Sequence, residues 1–146
     1  MTKNSLTAFR IIIIILGVLN IFIGLNIGFG GISTLGWQGQ SNFFEVTNES
    51  VFLMRDSHMR YFGGLYFGIG IFMILATSNL KKYQSSLRLI FILIFIGGIT
   101  RFSMMRFDII FGSDIIGSVL VELLLMPILY FWLLKILNSN VLQSNN

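Results

Sequence analysis

Three ionisable residues stand in or beside long apolar runs: Arg60, Arg101 and Glu122. In such surroundings a charge is expensive unless it is paired and hydrogen-bonded. Arg60 is followed three and four residues later by Gly63 and Gly64, and Arg101 is preceded at the same distances by Gly98 and Gly97. On a helix, residues three and four apart share a face. Each guanidinium is therefore expected above a groove without side chains. A guanidinium facing a carboxylate pairs bidentately, so the expectation is a cluster of Arg60, Arg101 and Glu122, with Asp56, His58, Arg106 and Asp114 at its rim. Two arginines and one deep carboxylate leave a positive charge over, which suits an anionic or carbonyl-bearing small molecule or lipid. The rival reading is an ion pair that fixes helix register and holds no ligand.

Other chemistry finds little support. There is no cysteine, and His58 is the only histidine, so a typical zinc site cannot be assembled and no metal site is expected. Met54, Met59, Met104 and Met105 offer soft ligands for Cu(I), but methionine more often fills gaps. Asp56 and His58 are two residues apart and do not face each other on a helix. Asp108 and Asp114 flank a glycine-containing turn and read as a solvated loop. No catalytic residues stand out, and the residues indicate no cofactor. Asn48-Glu49-Ser50 matches the glycosylation pattern, which matters only in a eukaryotic secretory pathway.

The elements that hold these residues follow from composition. Of the 146 residues, 55% are hydrophobic and 11% charged, with a mean hydropathy of +0.84. A soluble domain carries about 25% charged residues, so this chain cannot cover itself with polar surface. A hydrocarbon core about 30 Å thick needs ~20 apolar residues as a helix. Four stretches qualify: Ile11–Phe29, Tyr61–Thr77, Leu89–Met105 and Ile115–Leu137. The first run exceeds a signal-peptide core and lacks a small-residue cleavage site after it. The expected fold is all-α, an integral-membrane four-helix bundle over residues 1–137, with a disordered polar tail over 138–146. The connection Gly30–Arg60 is long and is expected to lie at the interface, as a lid or as an ordinary amphipathic segment.

Charge gives the orientation. Lys3, Arg10, Lys81, Lys82, Arg88 and Lys135 lie on one side with no acid. Arg55, Arg60, Arg101 and Arg106 lie on the other with Glu45, Glu49, Asp56, Asp108, Asp114 and Glu122. The sides carry +6 and −2, which together give the net +4. Lysine and arginine collect on the cytoplasmic side, so both termini are expected inside and the long loop outside, in the cell (inner) membrane. The basic balance thus reports topology, and no nucleic-acid partner is expected. Trp37 and Tyr61 suit the outer interface, Tyr83 and Trp132 the inner one. Glycines permit close helix packing in lipid: Gly17, Asn20, Gly24 and Gly28 line one face of the first helix, and Gly64 and Gly68 form a G-x-x-x-G pair on the second. Such faces also suit homo-oligomers. Pro127 is expected to kink the fourth helix and orphan the Leu123 carbonyl.

Arg60-Tyr61-Phe62-Gly63-Gly64-Leu65-Tyr66-Phe67-Gly68-Ile69-Gly70, Gly97-Gly98-Ile99-Thr100-Arg101 and Val121-Glu122-Leu123-Leu124 together resemble the bacterial membrane proteins grouped as domain of unknown function 4345. The resemblance runs from the first span through the fourth. It implies a four-helix bacterial membrane protein and no particular activity. More faintly, the chain is similar to DoxX-like four-helix membrane proteins, which implies as an alternative a quinone-linked redox subunit; a third reading, independent of the resemblance, is a non-enzymatic structural or assembly partner.

Overall fold

The computed structural model describes residues 3–34 and 46–139. The described residues are all helical apart from short turns: α1 (Lys3–Gly30), a 3-10 turn (Gly31–Thr34), α2 (Glu49–Ala76), α3 (Leu80–Thr100), a second 3-10 turn (Arg101–Met104), the one-turn α4 (Phe107–Ile110), α5 (Ile116–Leu120), a π turn (Val121–Leu125) and α6 (Met126–Leu137). Four continuous helical stretches are long and apolar enough to cross a membrane: Lys3–Gly30, Glu49–Ala76, Leu80–Met104 and Ile116–Leu137. Lipid offers the backbone no hydrogen bonds, so each stretch satisfies its own, and the isoleucine run Ile11–Ile15 is helical in spite of its weak helix propensity in water.

The second helix begins earlier than hydropathy suggests, and the expected loop is correspondingly shorter. Residues 49–60, read as part of the external connection, are the first three turns of α2. Asn48 starts it: its side-chain oxygen accepts from the Val51 N–H at 3.1 Å and from the Ser50 hydroxyl at 2.9 Å. The glycosylation-like tripeptide is therefore a helix cap. At 28 residues, α2 is about 42 Å long, so polar residues of its opening turns extend past a 30 Å core. Of the connection expected over residues 30–60 as a lid or interface segment, residues 35–45 lie outside the described residues, as do residues 140–146 of the polar tail.

The chain forms two compact units, Ile12–Ser78 and Met1–Ile11 with Asn79–Asn146. In the first, α1 and α2 meet through glycine. A side-chain carbon at Gly24 would run into the backbone of Phe67, one at Gly63 into the backbone of Gly28, and one at Gly70 would stand 2.5 Å from the Gly17 carbonyl oxygen. The small face expected on α1 is therefore used. On α2 the packed glycines are Gly63 and Gly70; Gly64 and Gly68 have nothing within 4 Å among the described residues. The G-x-x-x-G spacing marked the wrong glycines of α2, because Gly63, Phe67 and Gly70 form the stripe that meets α1. Asn20, on the same face of α1, donates to the Leu16 carbonyl of its own helix at 2.8 Å.

In the second unit α3 packs on α6. Gly98 meets Glu122 and Leu123, while Phe91 and Phe95 share a pocket with Met126 and Tyr130. Residue numbers fall on one helix as they rise on the other, so the pair is antiparallel. Phe9 meets Trp132 edge-on at 5.5 Å, and the Trp132 indole donates to Ser5 Oγ at 3.0 Å. The start of α1 is thereby fixed to the end of α6. Asn79 caps α3, accepting from the Lys82 N–H at 2.9 Å.

The fourth span accommodates its proline by widening. The Met126 N–H bonds to the Val121 carbonyl, five residues back, and the next residue, Pro127, has no N–H. A single π turn just before a proline takes up the clash that a regular α-helix would suffer.

Candidate functional site

In the second unit, Arg101 closes the third span from the 3-10 turn that follows Thr100. Its Nε donates to Glu122 Oε2 and its Nη2 to Glu122 Oε1, both at 2.6 Å. This is the bidentate fork that suits a guanidinium and a carboxylate. The Glu122 side chain is 13% exposed and that of Arg101 36%. Gly98 makes the approach possible, since a side-chain carbon there would lie 2.8 Å from Glu122 Cβ and 2.8 Å from Leu123 Cδ2. Glu122 itself stands in the π turn.

In the first unit, Arg60 has a different acid. Its Nε donates to Asp56 Oδ2 at 2.6 Å and its Nη1 to the Phe29 carbonyl at 2.5 Å. Asp56 also accepts from the Ile32 N–H at 2.8 Å and is only 7% exposed. The pair ties the end of α1 to α2: Arg60 caps a last-turn carbonyl, and Asp56 holds the turn that follows. Gly31 adopts a left-handed φ of 67°, as helix C-caps favour, and any side chain on it would strike the Asp56 carboxylate.

The remaining expected residues divide. Each glycine pair is split, with Gly63 and Gly98 packed against a neighbouring helix and Gly64 and Gly97 open among the described residues. The side-chain-free grooves expected beneath the arginines are thus filled on one flank, because a helix that approaches a glycine closely occupies the space it leaves. Asp56, expected at the rim, is instead the direct partner of Arg60. Arg106, also expected there, pairs through two hydrogen bonds with Asp108 at 2.9 and 2.6 Å, both side chains being about 60% exposed. This pairing holds the Asp108 carboxyl below the usual carboxylate range and raises Arg106. His58 is exposed, its Nδ1 2.7 Å from the Met54 carbonyl oxygen. Asp114 is exposed in the turn before α5.

The positive surplus that suggested an anionic ligand is matched once Asp56 is counted with Arg60. That pairing was readable, because Asp56 and Arg60 stand four apart, the spacing of helical ion pairs. Hydropathy hides it, because the apolar run begins only at Tyr61 whereas α2 begins at Glu49.

One feature had no sequence signal. A pocket of about 270 Å³ lies between α3 and α6, lined by Phe91, Ile92, Phe95, Met126, Pro127, Tyr130 and Phe131. Its surface is apolar, and its volume is near the lower end for small-molecule sites, roughly 300 Å³. Phe95 precedes Gly98 by three residues and Met126 follows Glu122 by four, so the pocket continues the faces that carry the Arg101–Glu122 pair. An ionic head region and an apolar slot follow one another along a single helix pair.

Four membrane-length helices with ion pairs at their polar ends define a multi-pass membrane protein. Residues 8–133 match the family described as Domain of unknown function (DUF4345), and the chain belongs to that family. No curated protein and no solved structure matches it.

Proposed function

We propose that the protein binds a lipid-like amphiphile along the α3–α6 groove, with the apolar tail in the pocket and the polar head at Arg101 and Glu122. The observation that carries this reading is the pocket itself, placed one to two turns from the bidentate pair on the same helix faces. A head with a carbonyl or carboxylate suits a guanidinium. The charge asymmetry supports an orientation with both termini cytoplasmic, so that the head region lies toward the outer leaflet of the cell membrane.

The test is thermal unfolding of the purified chain in detergent with a long-chain fatty acid, the matching fatty alcohol, a prenylated quinone and a short-chain carboxylate. The expected result is stabilisation by the fatty acid that is absent with the short carboxylate. It is lost in Ile92→Trp, which fills the slot, and weakened in Arg101→Lys, which breaks the fork. Stabilisation by the quinone alone would favour the redox-linked alternative. No stabilisation by any of the four would leave the assembly reading, which the closed geometry of the ion pairs favours: they then lock helix register in a non-enzymatic membrane subunit.

A further inference from the structure

We propose a second site at the opposite end of the unit formed by Met1–Ile11 and Asn79–Asn146, one that holds the phosphate of an anionic phospholipid between Arg10 and Arg88. The Nε atoms of both arginines are buried and have no hydrogen-bond partner. Apart from an approach of Arg88 Nη2 to Ser85 Oγ at 3.5 Å, none of the described residues is drawn to these guanidiniums to balance their charge. Lys3, Lys81, Lys82 and Lys135 are at the same end, and the acids of this unit, Asp108, Asp114 and Glu122, follow the far end of α3.

Two further observations converge on an anion. α1 and α3 both begin at this end, and neither has an acidic residue in its first turn. Helix N-termini carry partial positive charge and favour anions; here lysines add to it. The arginines also lie at one level. Phe9, next to Arg10, packs on Trp132. Arg88 precedes the pocket residue Phe91 by three on the helix antiparallel to α6, where Trp132 follows the pocket residue Phe131. Trp132 is the kind of residue that settles at a membrane interface. Arg10 and Arg88 stand seven and eight residues into their helices, roughly 10–12 Å. Each immediately precedes the apolar run of its span, Ile11–Phe29 or Leu89–Met105, the level of lipid headgroups when such helices cross a bilayer. A phosphate accepts from guanidiniums in the way a carboxylate does, and basic pockets between helices on the positive side recognise anionic headgroups.

The test is native mass spectrometry of the full chain released from detergent containing equal amounts of phosphatidylglycerol and phosphatidylcholine. The expected result is selective retention of phosphatidylglycerol, weakened about tenfold or more in the double variant Arg10→Gln/Arg88→Gln and by much less in Lys81→Gln/Lys82→Gln. The charge-conserving Arg10→Lys/Arg88→Lys should retain an intermediate amount. Equal retention of both lipids by the unaltered chain overturns the proposal, and this comparison stands even if the glutamine variant fails to fold. An equal loss in the lysine variant also overturns it, since that is diffuse attraction to a basic surface. Protection against thermal unfolding by inorganic phosphate as strong as by the lipid would reassign the site to a soluble anion.

Discussion

At the scale of single residues, Arg60, Arg101 and Arg106 each have their own carboxylate, from Asp56, Glu122 and Asp108. Removing one partner of a part-buried pair leaves the other to bear its desolvation alone. Glu122→Gln is therefore expected to lower stability by about 2 kcal/mol, read as a fall in the unfolding midpoint in detergent. Arg101→Lys should recover only part of the pairing, because an ammonium cannot make the fork. Gly31 answers to conformation and space together. Gly31→Ala places a side chain in the left-handed region and against the Asp56 carboxylate, and should cost at least about 1–2 kcal/mol. Outside the spans, Asp108 is held low by Arg106. Its pairing contributes fully above the ordinary carboxylate value near 3.9 and is lost as pH falls through the lower folded value. Carboxyl-carbon NMR should find Asp108 titrating below that value and rising toward it in Arg106→Gln; no change would show that the pair does not persist in solution.

At the scale of elements, adjacent glycines have opposite roles. Gly63 is packed against α1 and Gly64 faces open space among the described residues. Gly63→Ala should destabilise by more than about 2 kcal/mol, since the obstacle is backbone and the surroundings cannot yield cheaply. Gly64→Ala should be neutral or add about 0.5–1 kcal/mol, the ordinary gain of alanine over glycine within a helix. Equal effects in a thermal unfolding comparison would contradict the packing of α1 on α2. The π turn is an element-level device of the same importance. It widens the helix at Val121–Leu125, places Glu122 opposite Gly98, and ends where Pro127 cannot donate. The segment between α3 and α5 also has local causes: Met105 takes a left-handed φ of 53° to turn the chain out of the third span, and Phe102 meets Phe107 and Phe111 to hold the connection that follows.

At the scale of the whole molecule, the testable claim is orientation. The native chain has no cysteine, so a single cysteine placed at Lys81 or at Ser113 reports its side directly. With the proposed topology, a membrane-impermeant thiol reagent added to intact cells should label Ser113→Cys and spare Lys81→Cys. The reverse pattern would invert the protein and move the Arg101–Glu122 head region to the cytoplasmic leaflet, leaving the pairing itself untouched.

The sequence by itself determined the spans, their number and the family, because hydropathy over ~20 residues and the order of short motifs are properties of the chain read along its length. It also singled out Arg101 and Glu122, since a charge in an apolar run needs a partner wherever the fold finds one. Tertiary structure decided the pairing. Arg60 belongs to Asp56 because α2 starts at Asn48, a helix start that hydropathy hides behind polar opening turns. Which glycine of each pair is packed also waited on structure, as neighbouring positions of a helix point about 100° apart and only the crossing of two helices selects one. The same holds for the apolar pocket: it is the space left where aromatic side chains of α3 face a proline-widened helix, and no single segment carries a record of it.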